Sequence, residues 1–189
     1  NLAEKLTFYG MGDVILHVGE NLSYDNEKIL SKQAKELVSY EGDPLSVICA
    51  YNPGAEPEPA THGLSDEEFI RGKAPMTKAE VRTVSLSKLR LQENSVCYDV
   101  GAGTGSLSIE MALRAHQGQV WAIEKKEDAV ELIHRNKAKF AADNLEIVEG
   151  LAPEALKDLP TPTHAFIGGS SGNLKEIVKL LVEKNPQVR

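Results

Sequence analysis

The chain has 189 residues, 41% hydrophobic and 26% charged, with a formal net charge of -7, an ordinary globular composition that allows one or two domains. The acidic balance argues against nucleic acid as a partner, and no apolar run reaches the roughly 18 residues of a membrane span. Asn1-Leu2-Ala3-Glu4-Lys5 carries neither the basic and apolar regions of a signal peptide nor an initiator Met, so the chain reads as an internal piece of a longer cytoplasmic protein.

In chain order, 13–20 and 45–51 read as strands, and 26–40 as an amphipathic helix with Ile29, Leu30, Ala34, Leu37 and Val38 on one face. Two strands and one helix are too little for an independent core, so residues 1–52 read as the end of a preceding domain. Cys49 and Cys97 lie in apolar runs without metal or redox spacing, and both are expected to be buried, reduced thiols. Residues 53–62 follow as a linker containing Pro53, Pro57 and Pro59. Ser65–Ile70 opens a short turn or helix, and 71–76 is a loop stiffened by Pro75. Thr77-Lys78-Ala79-Glu80 fits a capping box ahead of a helix to about Leu89. Strands at 96–100, 119–123, 145–148 and 163–167 then alternate with helices at 105–115, 127–140, near 153–157 and at 173–184. This alternation predicts parallel βαβ units in an α/β domain spanning 63–189.

The first of those strands runs into Gly101-Ala102-Gly103-Thr104-Gly105, with Asp99 two residues ahead of the first glycine. Glycines let the backbone reach positive φ and let a ligand lie against the main chain, which suits a nucleotide-like cofactor. A dinucleotide fingerprint requires GxGxxG, whereas GxGxG resembles motif I of the Rossmann-type S-adenosylmethionine (SAM) methyltransferases. Glu124 ends the next strand, where a carboxylate can accept both hydroxyls of a ribose diol. Ala152, after the third strand, leaves room for a flat adenine ring. Gly168-Gly169-Ser170 forms a second glycine-rich loop on the same edge. Arg71, Lys73, Lys78, Arg82, Lys88 and Arg90 against Glu80 make residues 71–90 locally basic, a patch suited to a polyanionic substrate.

Residues 63–71 and 73–82, the motif I loop, Pro153-Glu154-Ala155-Leu156 and Phe166-Ile167-Gly168-Gly169-Ser170 together resemble the decarboxylating methyltransferases of cobalamin biosynthesis. These are the C15-methylating, C12-acetate-decarboxylating modules of precorrin-6Y C5,15-methyltransferase. Residues 1–51 resemble the end of the C5-methylating tetrapyrrole methylase, on Gly19-Glu20-Asn21-Leu22-Ser23-Tyr24. The resemblance implies SAM as cofactor, contacted by Thr77, Gly101 to Gly105, Glu124 and Ala152. It implies a precorrin or cobalt-precorrin tetrapyrrole as substrate, for which Arg71, Lys78, Arg82, Gly168, Gly169 and Ser170 are the candidate contacts. In-line methyl transfer needs positioning rather than a triad or a metal, so His62, His116, His134 and His164 are expected to be surface or loop residues. The fold so implied has seven strands, of which four precede Arg189. The methyltransferase domain is therefore expected to be C-terminally incomplete and inactive alone, and the full-length enzyme to be a homo-oligomer. The alternatives are a nicotinamide-dependent oxidoreductase and a noncatalytic SAM-binding fragment.

Overall fold

A computed structural model of the chain describes residues 1–55 and 63–189. Most of the 53–62 linker, with His62, lies outside the described residues. The chain divides into two compact units, Asn1–Pro59 and Ala60–Arg189.

In the first unit a helix, α1 (Leu2–Phe8), is capped by the Asn1 side chain. Three antiparallel strands follow, with β1 (Ile15–Glu20) central between β2 (Lys28–Gln33) and β3 (Ser46–Tyr51). Ala3, Val14, Leu16, Val18, Ala34 and Leu37 form its core. The segment thus holds three strands and a helix around this small cluster, where two strands and a helix were expected. The helix expected over 26–40 is instead β2 and one 3-10 turn, Ala34–Glu36. Pairing decides the outcome: β2 aligns Leu30 with Val18 across the ladder, while Ile29, on the opposite face of the pleat, stays 67% exposed. The burial expected of Cys49 also fails, because β3 is an edge strand whose six residues are all exposed.

The second unit carries a parallel sheet in the order β6-β5-β4-β7. The strands are β4 (Val96–Val100), β5 (Gln119–Glu124), β6 (Leu145–Glu149) and β7 (His164–Ile167). Helices α2 (Ala79–Leu89), α3 (Ser106–Arg114), α4 (Glu127–Lys139) and α5 (Leu174–Lys184) complete it. Both faces of the sheet are covered. Cys97, Val120 and Ala122 point into a cluster with Leu107, Met111 and Ile133, whereas Tyr98, Val100 and Ile123 meet Leu156, Ile177 and Leu181. Burial lifts the Cys97 thiol pKa to about 12, so it is inert at neutral pH. Two-sided burial is why these strands read as continuous apolar runs. β4 lies between β5 and β7, so the chain leaves in opposite directions from its two sides. In open α/β sheets that reversal opens a crevice at the carboxyl edge. Among the described residues, no helix is long and apolar enough to cross a membrane.

Candidate functional site

A cleft of about 260 Å³ lies at that edge, and each strand contributes the residues that follow it. β4 supplies Val100 and Gly101, β5 Ile123 to Lys126, β6 Gly150 to Ala152, and β7 Gly168 to Ser171. Pro75 forms a further wall. The volume lies just under the roughly 300 Å³ lower end of small-molecule sites, as suits a groove open to solvent.

The three glycines of the 101–105 loop all have positive φ, at 76°, 58° and 75°. A Cβ on Gly101 would lie 2.7 Å from the Gly169 backbone, so its absence lets the β7 loop settle on the β4 loop. At Gly103 a Cβ would come 2.4 Å from the Pro75 carbonyl oxygen, and at Gly105 it would meet Ile133 of α4 at 3.0 Å. Each glycine thus admits a different neighbour, and only Gly101 lines the cleft. All five amides of the loop are engaged. Gly101 and Ala102 donate to Ile123 O, Gly103 to Glu124 Oε2, Thr104 to Pro75 O and Gly105 to Ala102 O. The loop therefore offers no spare N–H of its own to a phosphate.

Glu124 is 9% exposed and borders the cleft. Oε2 accepts the Gly103 amide at 3.0 Å, and Oε1 accepts those of Lys125 and Lys126 at 2.9 and 3.1 Å. A carboxylate has about four acceptor positions. Three are filled here, which leaves Glu124 one acceptor position for a ribose hydroxyl. Asp99 is buried beneath the loop and accepts from Ser108 Oγ at 2.5 Å. Burial raises its pKa to about 6, with the Glu124 charge adding to the effect.

The basic stretch before the sheet is rearranged most by folding. Arg82 is not on an open cationic patch. It is completely buried, its guanidinium stacked 4.7 Å over the Phe69 ring. Nε donates to Glu110 Oε1 at 2.7 Å, Nη1 to Asp66 Oδ1 and the Thr77 carbonyl, and Nη2 to the Leu64 carbonyl. Its assignment to substrate is therefore withdrawn, because four of its donors are spent inside the fold. Lys78 is paired with Asp66 at 3.0 Å but remains half exposed, and Arg71 and Lys73 are exposed. The Arg82 guanidinium, then Lys78, hold the Asp66 carboxyl below its usual pKa. The capping box fails as well. Lys78 is the N-cap and makes no side-chain cap, and Asp66 Oδ1 takes the Ala79 amide at 3.0 Å from 13 residues away. Thr77 spends its carbonyl on Arg82 and does not line the cleft.

Asn136 of α4 carried no expectation. Fully buried, it accepts the Ile70 amide on Oδ1 at 2.8 Å and donates through Nδ2 to the carbonyls of Ile70 and Thr104 at 3.1 and 3.0 Å. A polar residue in step with Ala129 and Ile133 on an apolar helix face is the sequence signal that could have marked it. Ala152 is buried at the cleft, its carbonyl receiving Asn173 Nδ2 at 3.0 Å. Gly168 and Gly169 both donate to Val100 O, and Ser170 lines the wall. His17, His116 and His134 are exposed and His164 is half-buried on β7, none of them at the cleft. Among the described residues no group of three or more His, Cys, Asp or Glu could hold a metal ion.

A family model described as a precorrin methyltransferase domain matches residues 68–189. The probable cobalt-precorrin-6B C(15)-methyltransferase (decarboxylating) of Pyrobaculum calidifontis is 48% identical over 128 residues, which make up 66% of this chain and 66% of that protein. The crystal structure of precorrin-6Y C5,15-methyltransferase from Geobacter metallireducens shares 44% identity at a TM-score of 0.63, over 67% of each chain. That of precorrin 8W decarboxylase from Methanobacterium thermoautotrophicum shares 35% identity at a TM-score of 0.62, over 66% of this chain and 68% of that one.

Proposed function

Since this chain belongs to the precorrin methyltransferase family, we propose that residues 63–189 form a SAM-dependent methyltransferase module of corrin biosynthesis. Its reaction is methylation of C15 and loss of the C12 acetate carboxyl on a precorrin-6 type tetrapyrrole, with or without cobalt. One observation carries the choice of cofactor. Every amide of the 101–105 loop is bonded within the protein, so the loop cannot cradle a diphosphate, while the cleft bordered by Gly101 can take a flat, phosphate-free ligand. That disfavours a nicotinamide dinucleotide.

The residues present fit SAM. Ile123, Leu151 and Ala152 provide apolar walls for an adenine ring, and the free acceptor position of Glu124 takes a ribose hydroxyl. The neighbouring acids Asp99 and Glu124 make the floor favourable to a cationic tail. When bound, SAM supplies an electrophilic methyl group on sulfur. The chain's part is to hold donor and acceptor in line, which can account for much of a barrier without a base or nucleophile. Gly168, Gly169 and Ser170 stand on the side of the cleft toward β7 and are assigned to the tetrapyrrole, with exposed Arg71 drawing its carboxylates. Lys78 is a weaker partner for them, being neutralised by Asp66.

Calorimetric titration tests the cofactor. SAM is expected to bind and NAD to give no heat, and the reverse result would overturn the reading. Product analysis of the full-length enzyme with a precorrin-6 type tetrapyrrole then tests the reaction, and release of CO2 without a methylated product would reject C15 transfer.

A further inference from the structure

The cleft wall formed by Pro75 belongs to a strap, residues 63–78, that precedes α2 and has no regular structure beyond the 3-10 turn Asp66–Glu68. Polar groups pin it at three points. At its ends, Arg82 takes the carbonyls of Leu64 and Thr77, and Glu110 Oε2 takes the Gly63 amide at 2.6 Å. In the middle, Asn136 replaces a strand partner for Ile70 by bonding both its N–H and its C=O. The same Nδ2 reaches the Thr104 carbonyl, and the Thr104 amide in turn donates to Pro75 O at 3.3 Å. A closed circuit results. Strap, glycine loop and α4 share one buried amide.

We propose that Asn136 is a positioning residue for the cofactor cleft, holding the strap and the glycine loop in register so that the Pro75 wall is formed before the ligand arrives. The proposal rests on the cofactor reading above. It assigns Asn136 no contact with ligand, since the residue does not line the cleft. Leaving a buried carbonyl or amide unpaired is costly, so replacing this one side chain releases two segments together. A preformed wall spares the ligand the cost of ordering it, and affinity should fall when the wall is loosened.

The experiment compares the wild-type chain with Asn136→Asp, which keeps the acceptor for Ile70 and loses the donor, and with Asn136→Ser as an uncharged second variant. Leu145→Ala, fully buried at the amino end of β6 and so on the sheet edge away from the cleft, serves as a control of lowered stability. Calorimetry with SAM is expected to show about a tenfold weaker affinity in the Asn136 variants and wild-type affinity in the control, the scale of one lost hydrogen bond. In Asn136→Ser, which removes acceptor and donor together, amide hydrogen exchange is expected to show Ile70 and Thr104 losing protection together while Tyr98 and Val120 keep theirs. Unchanged SAM affinity in either folded Asn136 variant, or an equal loss in the control, overturns the proposal. So does faster exchange at Ile70 with Thr104 still protected. Failure of the wild-type chain to bind SAM would reject the cofactor reading instead, and the exchange of Thr104 would still decide whether Asn136 couples strap to loop.

Discussion

β3 and β4 are both short, apolar, Cys-containing strands, Ser46–Tyr51 and Val96–Val100, and they meet opposite fates. Every residue of β3 is exposed on the edge of a three-stranded antiparallel sheet. All of β4 but Val96 is buried between two parallel neighbours and two layers of helix. Local composition decides that each is a strand. Its place in the sheet decides whether its side chains matter to stability, and the same contrast divides the polar residues. Among the described residues the first unit buries one polar side chain, Glu20, and its Lys35 meets Asp13 at the surface, whereas Arg82, Glu110 and Asn136 of the second are interior structural parts.

The largest expected effect removes one of those interior parts. Arg82→Met strands the Glu110 carboxylate and the carbonyls of Leu64 and Thr77. It should lower the stability of the second unit by about 3 to 5 kcal/mol, the usual cost of breaking a buried pair. Urea unfolding followed separately in each unit by hydrogen exchange would check it, and a loss shared by the first unit would break the contrast between them.

The three pins of the strap explain what the sequence conceals. The strand, glycine loop and helix at 96–114 were legible because a run of buried residues, positive-φ glycines and helical spacing are all local signals. So was the acid at Glu124, fixed by its distance from the loop. Glu110 lies 28 residues from Arg82 and Ile70 66 residues from Asn136, so no local window reveals these pairs, and a buried arginine looks like a solvated one. The helix wrongly expected over 26–40 failed for the related reason that a ladder with β1 outweighed a local period.

A smaller effect concerns Asp99 on β4. Its folded pKa of about 6 lies above the ordinary carboxylate value of 3.8, so folding favours the protonated form. The stability it contributes is therefore full below the ordinary value and is lost as pH rises through about 6. Between about pH 5 and pH 7 the second unit should lose roughly 1 kcal/mol that Asp99→Asn does not lose. Urea midpoints at the two pH values would show it, and a parallel slope in the variant would mean that Asp99 does not titrate there. The smallest effect belongs to β3. Val47→Thr, at a position 65% exposed, should change the stability of the first unit by less than about 0.5 kcal/mol, and a larger loss would show that this edge is covered in solution.

Trp121 is the one tryptophan of the chain, carried on β5 three residues before Glu124 and packed against the cluster of Tyr98, Leu156 and Ile177. Its indole N–H is buried and meets no acceptor among the described residues. An indole so placed emits toward the blue, and exciting it selectively leaves the tyrosines of the antiparallel unit dark. The molecule thus carries its own optical reporter for one half only, and a red shift on titration with denaturant would record the opening of the parallel sheet without any label.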